Sequence, residues 1–91
     1  MNTTRGSEAN EPNRRYADPK LSRREAEVLV EWILADTKDQ VARKLYLAIG
    51  TINTHLSRSR AKYDSVGRPA NTKAQLLARV LQDGLLDLEK I

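Results

Sequence analysis

Three short motifs constrain the fold of this chain more than any other feature of its sequence. Each begins with Ser or Thr and has Glu or Gln three residues later: Ser22-x-x-Glu25, Thr37-x-x-Gln40 and Thr72-x-x-Gln75. In such a capping box, the first side chain accepts a hydrogen bond from the first turn of a helix, and the fourth residue reaches back to a backbone N–H of the cap. The three motifs therefore predict three helix starts.

Apolar residues recur at helical intervals after each motif, and a further helical run follows the second motif after a short break. The predicted helices are residues 22–34, 38–45, 49–63 and 73–83, with a break at 46–48 and Gly84 closing the last helix. Trp32, the only tryptophan, is predicted to lie in the core. We expect one all-α, four-helix domain over residues 21–91.

Positive charge is concentrated in one part of the chain. Residues 37–62 carry six Lys or Arg side chains against Asp39 alone, whereas the net charge of the whole chain is +4.

In the helix predicted at 49–63 one stripe is suited to packing, and it consists of Ile52, Leu56, Ser59 and Tyr63. The other side is polar. Two helices joined by a tight turn, with a basic, polar second helix, are typical of the helix-turn-helix that places its second helix in the major groove of DNA. The alternative is an ordinary helical hairpin with a solvated charged face.

Three ordered segments resemble one family of such motifs. They are LSRREAEVL (21–29), TKDQVARKL (37–45) and AIGTINTHL (48–56), and they resemble the LuxR/FixJ/GerE (NarL-type) helix-turn-helix. The resemblance implies a four-helix bundle without a wing that binds double-stranded DNA as a bacterial transcription regulator. It also implies either the output domain of a larger protein, such as a response regulator or a regulator with a ligand-binding domain, or a complete single-domain regulator.

The resemblance assigns roles to individual residues. By resemblance, Asn53, Thr54 and Ser57 face the base edges. Arg58, also expected to read bases, follows on the same exposed side and could reach a base or a phosphate. We expect Lys38, Thr51, Arg60 and Lys62 at the DNA backbone. Asn53 stands where the family often has lysine, and asparagine pairs with adenine in the major groove. His55 has two open interpretations, a phosphate contact and a partly buried helix residue.

The last helix resembles the family's dimer interface. Leu77, Ala78 and Leu81 are the residues expected to meet a second copy of the chain. A two-fold dimer predicts an inverted-repeat operator with half-sites about one helical turn apart.

The chain also departs from the family pattern at positions that affect helix ends and packing. Ala35 replaces the glycine that usually closes the first helix, so that helix is expected to end differently. Ala48 replaces a serine N-cap, which typically costs about 1 kcal/mol of helix stability. Ser59 replaces an isoleucine, and either the apolar stripe is thin there or its hydroxyl bonds to the His55 carbonyl.

Residues 1–20 contain two prolines and few apolar side chains, so we expect a disordered leader or linker. Arg14, Arg15 and Lys20 could form a basic arm on DNA, although a solvated tail is the favoured interpretation.

Other functions find little support in the sequence. The chain has no cysteine and one histidine, which argues against a disulfide framework or a metal cluster. No glycine-rich nucleotide-binding loop and no long apolar run are present, so we expect no cofactor, no catalysis and a cytoplasmic location. The alternative function is that of a helical adaptor binding a protein such as RNA polymerase.

Overall fold

The computed structural model describes residues 16–87 and 89. This part of the chain contains four helices, which we number α1 (Arg23–Leu34), α2 (Lys38–Leu45), α3 (Ile49–Ser65) and α4 (Lys73–Gln82). The described residues contain no β-strand. The prediction of an all-α, four-helix domain is confirmed, and α3 extends two residues beyond its predicted end at Tyr63.

The capping boxes form at the starts of α1 and α2. The Ser22 hydroxyl accepts from the Glu25 N–H at 3.0 Å, and the Glu25 carboxylate accepts from the Ser22 N–H at 2.9 Å. Thr37 and Gln40 make the same reciprocal pair.

At the start of α4 only half of the predicted box forms. The Thr72 hydroxyl accepts from the Gln75 N–H at 3.0 Å, but the Gln75 side chain accepts from the Asn71 N–H at 2.7 Å. The prediction of a complete box at this position is therefore wrong, because the glutamine satisfies the preceding amide instead.

The apolar stripe of α3 forms the centre of the core. Ile52, Leu56, Ser59 and Tyr63 are each at most 1% exposed. They pack with Val28 and Leu29 of α1, Val41 of α2, and Leu76 and Val80 of α4. The Ser59 hydroxyl donates to the His55 carbonyl at 2.8 Å, so a polar residue is accommodated on the stripe without an unpaired group.

α1 ends without a left-handed residue. Ala35 is extended, with φ −95° and ψ 157°, and its N–H donates to the Trp32 carbonyl at 3.2 Å. This confirms that the missing glycine changes how the helix ends. Trp32 itself is half-buried and packs against the core rather than lying inside it.

A buried ion pair joins the end of α3 to the end of α4. Arg68, which follows the left-handed Gly67 in the α3–α4 connection, bonds both oxygens of Asp83 at 2.8 and 3.2 Å. Both side chains are only 8% exposed. The Tyr63 hydroxyl donates to the same carboxylate at 2.8 Å. Burial of the phenol, together with the hydrogen bond and charge of Asp83, raises the pKa of Tyr63. We call these three residues the Arg68–Asp83 network.

The segment before α1 contacts this network. Arg68 donates to the Ala17 carbonyl at 2.8 Å, and its guanidinium carbon lies 4.9 Å from the Tyr16 ring centroid and 5.1 Å from that of Tyr63. Residues 16–20, which the sequence assigned to the leader, therefore lie against the helices. Arg14 and Arg15 lie outside the described residues.

Replacing Asp83 with alanine tests the network. Asp83→Ala leaves the buried Arg68 charge uncompensated, and we expect the free energy of unfolding to fall by about 3 kcal/mol. Urea unfolding followed by Trp32 fluorescence measures it. The control is Glu27→Ala, which removes an exposed ion pair with Arg24 and should cost less than about 1 kcal/mol. Equal effects of the two substitutions would contradict the role given to the network.

Candidate nucleic-acid interface

α2 and α3 are joined by a three-residue connection. The Leu47 N–H donates to the Ala42 carbonyl at 3.0 Å, and the residue before it, Tyr46, has a left-handed backbone with φ 56°. Ala48 is extended and makes no side-chain cap bond to α3. This is the helix-turn-helix arrangement expected from the sequence, and the predicted loss of the serine cap is confirmed.

The polar side of α3 faces solvent. Asn53, Thr54, Ser57 and Arg58 are all exposed, whereas the stripe on the other side of the helix is buried. The Thr54 hydroxyl donates to the Gly50 carbonyl at 3.0 Å, which leaves its oxygen lone pairs as acceptors. Within residues 16–87, no side-chain hydrogen bond or ion pair engages Asn53, Ser57 or Arg58. These groups can therefore pair with an external ligand.

The outward face of α3 also has little side-chain bulk. Gly50, Thr54, Ser57 and Ala61 all lie on it, and each is exposed. A Cβ built at Gly50 would meet no atom within 4 Å, so packing inside the protein does not require glycine there. Small side chains on this face allow the helix backbone to come close to a flat or grooved ligand.

The residues expected at the DNA backbone divide into two groups. Lys38 lies half-buried in the first turn of α2, and Thr51 is exposed in the first turn of α3. Lys62 and Arg60, in contrast, are engaged within the protein. The Lys62 ammonium donates to the Glu25 carboxylate at 2.5 Å and to the Lys20 carbonyl at 3.3 Å.

Arg60 packs on the tryptophan. Its guanidinium carbon lies 5.5 Å from the centroid of the Trp32 ring, and its Nε is buried without a partner among the described residues. The Lys73 ammonium lies 4.9 Å from the same ring and also donates to the Ala35 carbonyl at 2.9 Å. Two cations thus share one ring beside α3, which the sequence pattern did not indicate.

Glu25 is a buried carboxylate that accepts hydrogen bonds from two partners. It accepts from the Ser22 N–H as part of the capping box and from Lys62 across the domain. Burial by itself would raise the pKa of Glu25, but the hydrogen bonds and the positive charge of Lys62 outweigh it and lower that pKa from its ordinary value of 4.5. Glu25 lies three and four residues before Val28 and Leu29, so helical spacing places it on the same face as these apolar residues, and a buried carboxylate requires such a partner. That was the only sequence signal for this ion pair.

His55 is half-buried, and its Nδ1 has no hydrogen-bond partner among residues 16–87. Of the three residues expected at a dimer interface, Leu77 and Leu81 pack partly against the core, and Ala78 is half-buried beside them. Each of the three retains some accessible surface in the single chain.

The sequence was compared with known proteins. The family model described as bacterial regulatory proteins, luxR family, matches residues 19–68. The chain belongs to this family. The match covers α1 to α3 and ends at Arg68, so α4 lies outside it. Neither the curated proteins nor the solved structures gave a match.

Two further observations bear on other kinds of site. None of the described helices has the length and apolar character needed to cross a membrane. In the same part of the chain, no group of three or more His, Cys, Asp or Glu side chains is placed to hold a metal ion.

The Glu25–Lys62 pair should make stability depend on acid pH. A lowered folded-state pKa contributes stability that is present above about pH 4.5 and is lost as pH falls through the folded value. Glu25→Gln should therefore lower the free energy of unfolding at about pH 7 and have a smaller effect at about pH 3, because the contribution of the ionised carboxylate diminishes as the pH falls below about 4.5.

Urea unfolding at both pH values measures the difference. Glu27→Gln, at an exposed position on the same helix, is the control and should change little at either pH. A Glu25→Gln effect of the same size at both pH values would show that the ionised carboxylate contributes nothing.

Proposed function

We propose that this luxR-family chain is a sequence-specific, double-stranded DNA-binding transcription regulator of the bacterial cytoplasm, with α3 inserted in the major groove. The observation that carries the proposal is the two-sided character of α3. One side is buried and fixes the helix in the domain. The other presents Asn53, Ser57 and Arg58, whose exposed side chains have no hydrogen-bond partner among residues 16–87. An α-helix fits the major groove, where base edges offer complementary donors and acceptors.

Charge supports the same proposal. Two of the six cations in residues 37–62 are paired across the domain, Lys44 with Glu31 at 3.0 Å and Lys62 with Glu25. No ion pair is found for the other four within residues 16–87, and the only acid in the stretch is Asp39. A net positive surface around α3 attracts the phosphate backbone, so affinity should fall steeply with salt.

Specificity is proposed to come from Asn53 and Arg58, supported by Thr54 and Ser57. Asparagine can donate to and accept from one adenine edge, and arginine can donate twice to guanine. The small outward side chains at Gly50 and Ala61 let these longer groups reach the bases.

Lys38, Thr51 and Arg60 are proposed to contact the DNA backbone. Arg60 can keep its packing on Trp32 while its terminal nitrogens reach a phosphate. We leave Lys62 out of this set, because contact with phosphate would require it to leave a buried carboxylate.

Removing the two principal base-reading side chains tests the proposal. The double variant Asn53→Ala, Arg58→Ala should bind at least about tenfold more weakly to a duplex that the wild-type protein enriches from a random pool. It should also show a salt slope about one unit shallower if Arg58 meets a phosphate. Fluorescence anisotropy at low and moderate salt measures both quantities.

The chain offers a matched control for this experiment. Arg23 and Asn71 are exposed and lie outside α2 and α3, so Arg23→Ala, Asn71→Ala removes the same two residue types elsewhere. The control should bind as the wild type does. Absence of wild-type binding at low salt would refute the DNA proposal and favour a protein-binding adaptor.

We also propose that the chain binds DNA as a homodimer through α4. Leu77, Ala78 and Leu81 form a half-exposed apolar surface, on the helix face adjoining the buried Leu76 and Val80. Two copies related by a two-fold axis would cover it and set the spacing of an inverted repeat.

A charged residue at the centre of this surface should prevent pairing. Ala78→Glu is expected to bind one half-site as the wild type does but to lose cooperative binding of an inverted repeat. Analytical ultracentrifugation of the DNA complex gives the stoichiometry. The same substitution at half-buried Ala26 of α1 is the control, and a two-to-one complex formed by Ala78→Glu would contradict the proposed interface.

A further inference from the structure

Tyr46 is the left-handed residue in the α2–α3 connection, and the role inferred for its side chain rests on the proposed DNA-binding function. Its side chain is 93% exposed, the highest value among the exposed large hydrophobic residues of the described chain. Its φ is 56°. A tyrosine in this conformation is disfavoured by contact between its Cβ and the backbone, and glycine or asparagine adopts it more readily.

Three helices of this protein end in the same way, which allows a direct comparison. In each case a backbone N–H just after the helix donates to the carbonyl five residues before it. The bonds are Leu47 to Ala42 after α2 at 3.0 Å, Arg68 to Tyr63 after α3 at 3.0 Å, and Leu85 to Val80 after α4 at 2.9 Å. The residue before each donor is left-handed: Tyr46, Gly67 and Gly84. Two of the three positions carry the residue that this motif favours.

The fold therefore explains a left-handed residue at position 46 but not a tyrosine. No hydrogen bond or cation–π contact engages the Tyr46 side chain within residues 16–87, and at 93% exposure it buries almost nothing. A large amphipathic side chain in strained backbone, with no role inside the domain, points to an external partner.

The position of Tyr46 identifies the partner. It lies two residues before Ala48, the N-cap of α3, on the α2–α3 unit that carries the excess positive charge. Arg43, three residues before it, is exposed and has no ion pair among residues 16–87, and Lys44 is exposed although it pairs with Glu31. The surroundings therefore favour an anionic surface over an apolar protein groove. Ile49, at 40% exposure, adds apolar surface at the same end of the helix.

We propose that Tyr46 is a DNA-contacting residue. Its hydroxyl donates to a backbone phosphate beside the start of α3, and its ring lies against the adjoining sugar. Tyrosine is among the residues that donate to DNA phosphates, and such contacts fix the register of a protein on the duplex. The contact is neutral, so it adds affinity without releasing a counterion of its own.

Three substitutions separate this contact from a role in the fold. Tyr46→Gly and Tyr46→Asn supply residues suited to the left-handed conformation and remove the contact, and Tyr46→Phe removes only the hydroxyl. We expect the glycine and asparagine variants to unfold at the wild-type temperature or above it. Their affinity for the wild-type-enriched duplex should fall about tenfold, the size expected for loss of a hydrogen bond to a charged group together with its packing.

Tyr46→Phe should show a smaller loss, about threefold, because the ring remains. All three variants should keep the wild-type salt slope, whereas loss of an arginine–phosphate contact reduces it by about one. Leu85→Ala, at an exposed apolar residue after α4, is the control and should change neither affinity nor slope.

The outcomes distinguish this inference from the proposed function. Wild-type protein that binds the duplex while Tyr46→Gly and Tyr46→Asn bind it equally well would overturn the inference alone. A lower unfolding temperature in both of these variants would also overturn it, because tyrosine would then serve the fold. Wild-type protein that binds no duplex at low salt would overturn the DNA-binding function and this contact together.

Discussion

The Arg68–Asp83 network joins three separate parts of the domain: the end of α3, the end of α4 and the segment before α1. A guanidinium and a carboxylate, each 8% exposed, are stable in a protein interior only when nearly every donor and acceptor is satisfied. Asp83 satisfies its charge with Arg68 and accepts from Tyr63, and Arg68 also bonds Gln82 and the Ala17 carbonyl. The end of α3, the end of α4 and the segment before α1 are thereby fixed to one another.

The network matters for the recognition surface because α3 contributes Tyr63 to the network and also carries the exposed polar face. Tyr63 is the last residue of the buried stripe of α3, and it bonds the network at one end of the helix. At the other end, α3 starts without a side-chain cap at Ala48. The helix is thus anchored by its stripe and its C-terminal end, while its polar face and its N-terminal turn remain open to a ligand.

A second buried ion pair anchors the middle of the molecule and limits which cations are free. Lys62 and Lys44 contribute to the positive charge of the α2–α3 unit, but Lys62 is held by Glu25 and Lys44 pairs with Glu31. Arg60 packs on Trp32 through its guanidinium. A count of charges along the sequence therefore overstates the number available to phosphate. Three residues of α3 with similar charge, Arg58, Arg60 and Lys62, have three different surroundings because each leaves the helix in a different direction.

The sequence by itself determined the helices, their starts and the two-sided character of α3, because capping and helical periodicity are local properties of neighbouring residues. It also identified the luxR-type segments and the exposed positions Asn53, Thr54, Ser57 and Arg58. Only the tertiary structure decided that Arg68 pairs with Asp83, that Lys62 pairs with Glu25 and that Gln75 turns to Asn71. The two ion pairs join residues 15 and 37 positions apart, and no local pattern specifies such partners. The choice of the Asn71 amide is decided instead by how the connection before α4 is folded. The left-handed backbone at Tyr46 was not predicted, because tyrosine stands where this helix-ending motif usually has glycine or asparagine.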